Sequence, residues 1–139
     1  MKKQTAVFCA SLLLSIHAFA GTPPAMGLLC AAYDIDFKFD MIIDQFTGDL
    51  FENSFALRIS SIPIPSKVKQ YSNYRDNITM VISNGPADGN SDVGYIIDLN
   101  KSYHDTYSGH ATKYFANPPG TRDEQNDTYM SLDCQSTKP

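Results

Sequence analysis

From Tyr33 to Met41 apolar and polar residues alternate without exception, with Tyr33, Ile35, Phe37, Phe39 and Met41 on one side and Asp34, Asp36, Lys38 and Asp40 on the other. A strand sends successive side chains to opposite faces, whereas a helix would scatter these five around its circumference, so the pattern predicts a half-buried strand. Cys30 falls on the acidic parity, which calls for a bulge around Ala31 and Ala32 if its thiol is to point inward. A turn signal at Thr47-Gly48-Asp49 precedes Phe55, Leu57 and Ile59, a second alternating strand. Ile62-Pro63-Ile64-Pro65 then reads as a strand end or an extended crossover, because neither proline has an N–H to give to a ladder.

Val68 to Tyr74 is rich in β-favouring residues, and Ile78, Met80 and Ile82 share a face, so the two segments predict a hairpin through Arg75-Asp76-Asn77. Val93, Tyr95, Ile97 and Leu99 form the next buried face, with Ile96 opposite them as the mark of a central strand. Tyr103 to Phe115 predicts a long strand bent at Gly109, and Met130, Leu132 and Cys134 a last one. No window after the first 20 residues carries a 3.6-residue repeat. The expected architecture is therefore all-β, a small antiparallel barrel or sandwich of about seven strands in a single domain over residues 21–139.

The first twenty residues stand apart. Lys2 and Lys3, an apolar run from Ala6 to Ile16 and the small-x-small triplet Ala18-Phe19-Ala20 predict a signal peptide cleaved after Ala20. The run is about half the length of a membrane-spanning helix, and no second one follows. A periplasmic or secreted protein of bacterial type follows, with no membrane insertion after cleavage.

Cleavage would leave nine Lys and Arg against fifteen Asp and Glu, a formal net charge of −6. That balance disfavours nucleic acid and anionic lipid, which bind through clustered cations, and favours a basic protein partner. Cys9 leaves with the signal peptide, so Cys30 and Cys134 are predicted to form one disulfide tying the two ends of the domain in an oxidising compartment.

Candidate chemistry is sparse. Asp88-Gly89-Asn90-Ser91-Asp92 matches the opening of a calcium loop, with Asp88, Asn90 and Asp92 as alternate oxygen ligands. Val93 and Leu99 then stand where the loop needs glycine and a bidentate glutamate, so a solvated turn is the expected state. Ser108, His110 and Asp105 contain the residue types of a hydrolytic triad, but no G-x-S-x-G surrounds the serine. No catalytic residue and no cofactor is assigned. Tyr103, Tyr107 and Tyr114 crowd the segment that also holds Ser108 and His110, and tyrosine offers large contact area at low entropic cost, so these five are the candidate binding residues.

Ser108-Gly109-His110-Ala111-Thr112-Lys113-Tyr114 resembles the Ser-Gly-x-x-Tyr loop of the periplasmic C-type lysozyme inhibitors, small antiparallel β-barrels with cysteines near both ends. It places four residues rather than two between glycine and tyrosine, and the chain has no tryptophan. The resemblance implies a non-catalytic exported module that blocks a basic enzyme, toward which an acidic chain would be steered. A small-ligand or calcium-binding barrel and a small hydrolase are the alternatives.

Overall fold

Nine strands form among the residues that the computed structural model describes, which are 24–85, 92–116 and 127–137. In chain order they are β1 (Ala25–Ala32), β2 (Phe37–Asp44), β3 (Ala56–Ile59), β4 (Ile62–Ile64), β5 (Lys67–Tyr74), β6 (Asn77–Ser83), β7 (Asp92–Lys101), β8 (Tyr107–Ala116) and β9 (Thr128–Thr137). They make one antiparallel sheet in the order β4-β3-β2-β1-β9-β8-β7-β6-β5. Two meanders, β1–β4 and β5–β9, thus meet where β1 pairs with β9.

Because every pairing is antiparallel, β4 and β5 run in the same direction, joined only by Pro65 and Ser66, yet they form the two opposite edges of the sheet. A sheet whose edges are consecutive in the chain has to curl, and this one curls into a half-barrel that leaves a seam between β4 and β5. The all-β antiparallel class is as expected; the count of about seven strands and the closed barrel or sandwich are not.

Each difference has a local cause. β1 lies just ahead of the Tyr33–Met41 pattern and repeats its logic, with Met26, Leu28 and Cys30 inward. Tyr33 and Ile35 belong to the turn between β1 and β2 and are exposed, so only Phe37, Phe39 and Met41 of that row enter the core. That turn resets the parity between Cys30 and Phe37, which makes the expected bulge at Ala31 and Ala32 unnecessary. β4 includes Pro63, whose missing N–H costs nothing at an edge. Pro65 then ends the ladder, and the barrel stays open there.

The core is built from inward rows on both sides of the junction. Leu28 and Cys30 of β1 and Phe37, Phe39, Met41 and Ile43 of β2 face Ile78, Met80 and Ile82 of β6 and Tyr95, Ile97 and Leu99 of β7. The Phe37 ring lies 4.8 Å from that of Tyr95, so the two meanders interlock through aromatic packing as well as through the ladder. Cys30 and Cys134 are direct cross-strand partners in the β1–β9 pair, with Cα atoms 4.0 Å apart, and are disulfide-bonded within this core.

β8 pairs with β7 along its whole length and with β9 from Tyr107 to Lys113, and keeps register with β7 through Gly109. A Cβ there would lie 1.9 Å from the Asp98 carbonyl oxygen, so the glycine marks the place where the β7 backbone presses closest. At the seam the core thins. No residue of β4 or β5 is fully buried, and Ile64, Tyr71, Leu50 and Phe55 are only partly covered.

Candidate functional site

Strand direction decides which turns share an end. β2, β5 and β7 all run the same way, so the turns that follow them, at 45–49, Arg75–Asp76 and 102–106, gather at one mouth of the half-barrel. Backbone bonds knit this end together: Gln45 N donates to Pro24 O at 2.9 Å and Lys101 N to Asp76 O at 3.1 Å. Tyr71 Oη donates to Gly48 O at 2.7 Å, and Asn73 Nδ2 donates to the same oxygen at 3.3 Å. Burial pushes the Tyr71 hydroxyl up to about 12, so it keeps its proton and its bond to Gly48 through the whole neutral range.

Inside the mouth lies a depression of about 440 Å³, with Met26, Ile43 and Tyr107 beneath and Gln45, Phe46, Arg75, Asp76, Lys101 and Asp105 around it. A second depression shares Arg75, Asp76 and Lys101 and extends to Ser102 and Tyr103. Lys101 Nζ sits 3.3 Å from Asp105 Oδ1 and 3.9 Å from Asp76 Oδ1. The Asp105 hydrogen bond, aided by Asp76 and opposed by slight burial, holds the Lys101 ammonium above its usual value. Arg75 places its guanidinium 5.2 Å from the Tyr74 ring centroid, a cation–π contact at the rim.

Three aromatic side chains at these turns take no part in the core. Phe46 is 85% exposed, Tyr74 67% and Tyr103 90%. Arg75, Asp76, His104 and Asp105 all hold positive φ, between 51° and 65°, a left-handed conformation that costs a non-glycine residue roughly 1–2 kcal/mol. Left-handed backbone is not peculiar to these turns, since Asn53, Ser60 and Ser61 also hold positive φ, but the three unburied rings gather at this end.

The predicted binding residues do not form one surface. Tyr103 stands at the tip of the β7–β8 turn, within the mouth, while Tyr107 is buried in the core, where desolvation raises its phenol pKa. Ser108 and His110 point outward from β8 into solvent. Ser108 Oγ lies 3.3 Å from Ser102 Oγ, His110 Nε2 3.6 Å from Asp98 Oδ2, and Asp105 bonds Lys101, so the three triad residue types each meet a different partner. The Ser108–Tyr114 stretch that resembles an inhibitor loop lies inside β8. Tyr114 lies over Gly94, where a Cβ would come within 2.8 Å of the phenol oxygen, and is largely buried.

Of the candidate calcium ligands, Asp88 and Asn90 lie outside the described residues, and Asp92 opens β7. Asp92 Oδ1 accepts from Ser83 Oγ at 2.8 Å, and Oδ2 accepts from Lys69 Nζ at 3.0 Å and from Tyr114 Oη at 3.3 Å. An ammonium thus occupies the place at this carboxylate that a cation would take. Among the described residues no group of three or more His, Cys, Asp or Glu side chains is placed to hold a metal.

Burial alone would raise the Asp92 carboxyl; the bonds from Ser83, Lys69 and Tyr114 outweigh it and hold the group below the usual aspartate range. A lowered folded pKa stabilises the fold fully above the unfolded value of about 3.9 and loses that contribution as pH falls through the folded value. Urea midpoints measured between about pH 5 and pH 2 are therefore expected to fall less steeply for Asp92→Asn than for the parent. Equal acid slopes in the two proteins would show that the carboxylate bonds contribute nothing.

Sequence reasoning did not single out Phe46, Tyr74, Arg75 or Lys101. A usable signal was present: Phe46 abuts Thr47-Gly48-Asp49 and Tyr74 abuts Arg75-Asp76, each at a turn where the chain leaves the sheet. Comparison of the chain with protein-family models finds no match, and comparison with curated proteins and with solved structures finds none either.

Proposed function

We propose that this chain is an exported, non-catalytic binding domain that engages another protein through the mouth formed by the turns after β2, β5 and β7. The observation that carries this reading is the ring of Phe46, Tyr74 and Tyr103, three large side chains left in water around a polar depression. Aromatic and arginine anchors over a desolvatable pocket are the usual energetic centre of a protein interface, and here Arg75 already lies against one of the rings.

The partner is basic, in keeping with a charge of −6 for residues 21–139. Inhibition of a lysozyme is one concrete form of the proposal, with Tyr103 as the residue shared between the predicted contact segment and the mouth. Calcium binding and hydrolysis draw less support, since Asp92 is paired to Lys69 and Ser108, His110 and Asp105 are apart. A small-ligand reading is favoured by one observation, the depression's volume of about 440 Å³, which lies in the range of small-molecule sites.

The test is a pull-down from envelope and culture fractions with the disulfide-bonded protein, beside a Phe46→Ala/Tyr74→Ala/Tyr103→Ala variant. The parent should retain a basic protein that the variant loses, with dissociation constants at least about 100-fold apart and unfolding midpoints unchanged. Equal retention by both proteins rules out the mouth as the contact surface. Undiminished muramidase activity at micromolar concentrations of the parent rules out the lysozyme version.

A further inference from the structure

We propose a second recognition site, adjoining the mouth at Asn73 but distinct from its aromatic rim: the seam beside β5 accepts an extended peptide segment of another protein, which adds a strand to the sheet. β5 is an eight-residue edge strand paired with β6 on one flank only. Tyr74 and Asn77 close a two-residue turn, and hydrogen-bonding positions alternate from there, so the amides and carbonyls of Tyr71 and Asn73 point away from β6. Among the described residues no backbone group pairs with them. An unpaired row of this kind is a template for another extended backbone, which can replace the water along it bond for bond.

Across from β5 stands the segment after the β2 turn, held to β2 by the Ile43–Leu50 bridge and by Phe51 N donating to Ile42 O at 2.9 Å. Between these walls is a groove of about 710 Å³, lined by Leu50, Phe51, Phe55, Val68 and Tyr71 among others. All five are half-buried, which leaves apolar surface for alternate side chains of an added strand to cover. The chain does not zip this gap itself. Pro63 and Pro65 withhold two donors at the turn into β5, and among the described residues the walls are tied at the top alone, through Tyr71 and Asn73 to Gly48.

Charge narrows the occupant. Asp49 and Glu52 of the facing wall outnumber Lys67 among the groove's charged side chains, and Lys69 of β5 is neutralised on the outside by Asp92, so the segment is apolar at every second position and carries Lys or Arg. A second copy of this chain is a poorer occupant, because its own β5 is bulged between Val68 and Gln70 and stands behind its own facing wall.

The experiment pans a phage-displayed library of random nine-residue peptides against the oxidised protein. Enriched peptides should show apolar residues with period two together with Lys or Arg, and should slow amide exchange at Tyr71 and Asn73. N-methylation of alternate peptide nitrogens and the groove variant Val68→Glu should each weaken binding at least tenfold, whereas Phe46→Ala/Tyr103→Ala should bind as the parent does, which separates this site from the mouth. No enrichment, binding indifferent to N-methylation, or protection confined to residues 75–76 and 101–105 overturns the proposal. Self-association with protection of β5 in the absence of peptide overturns the choice of occupant.

Discussion

Replacing Cys30 and Cys134 together by alanine is expected to lower the stability by about 2–5 kcal/mol. The two residues are 104 positions apart, and closing a loop of that length removes enough freedom from the unfolded chain for up to about 4–5 kcal/mol in the chain-entropy model. The location adds to the effect. Among the described residues β1 and β9 form the one ladder between the two meanders, which the chain itself joins through Pro65-Ser66 at the far edges. Both sulfurs lie in the core, so reductant reaches them only through unfolding. Urea unfolding of the oxidised, reduced and doubly substituted proteins measures the contribution, and the last two should nearly coincide. A loss below about 1 kcal/mol would mean that the β1–β9 ladder alone joins the halves. The same dependence would leave the fold less stable in a reducing compartment, which withholds the bond.

Much of this fold is legible as period-two alternation, because a curled single sheet has one dry face and every core strand must obey it. Phe37, Phe39 and Met41, Ile78, Met80 and Ile82, and Tyr95, Ile97 and Leu99 all enter the core on the parity that their spacing assigns. Alternation does not reveal where a strand stops. Tyr33 and Ile35 continue the pattern of β2 into a turn, and a turn leaves no mark on hydrophobic spacing when its residues keep the same parity. Nor does alternation count edges. Ile62-Pro63-Ile64 is too short and too poor in donors to read as a strand, yet at an edge it needs bonds on only one side.

The candidate site was less legible, for a related reason. A tyrosine-rich segment looks like a surface whichever way its side chains point, and here the chain divides them: Tyr107 goes into the core beneath the mouth, Tyr114 lies across Gly94 toward Asp92, and Tyr103 stands exposed at the rim. Proximity in sequence also misled for Ser108, His110 and Asp105. The first two share an outward face, but Asp105 sits in the preceding turn with its carboxylate drawn to Lys101. The mouth itself is made by three turns distant in sequence, brought together only by strand direction, and no local pattern contains that information.

Phe39→Ala is the second large effect expected, a loss of about 3–5 kcal/mol in urea unfolding. The ring is fully buried, meets Phe37 edge-on at 6.2 Å and lies 5.5 Å from the ring of Phe55. Its backbone neighbours are Cys30 on one side and Leu57 on the other, so truncation opens a void beside the disulfide and under β3 at once. The low end of the range follows if Phe55, only partly buried beside the seam, moves into the space; a well-enclosed site would give the high end. Because Phe39 touches the strand that carries Cys30, its loss should not add to that of the disulfide, and a double-mutant cycle should give a coupling of about 0.5–3 kcal/mol. Phe46→Ala supplies the contrast, since a ring standing in water contributes within about 0.5 kcal/mol of nothing. If Phe39 and Phe46 cost the same, the dry and wet faces assigned to this sheet are wrong.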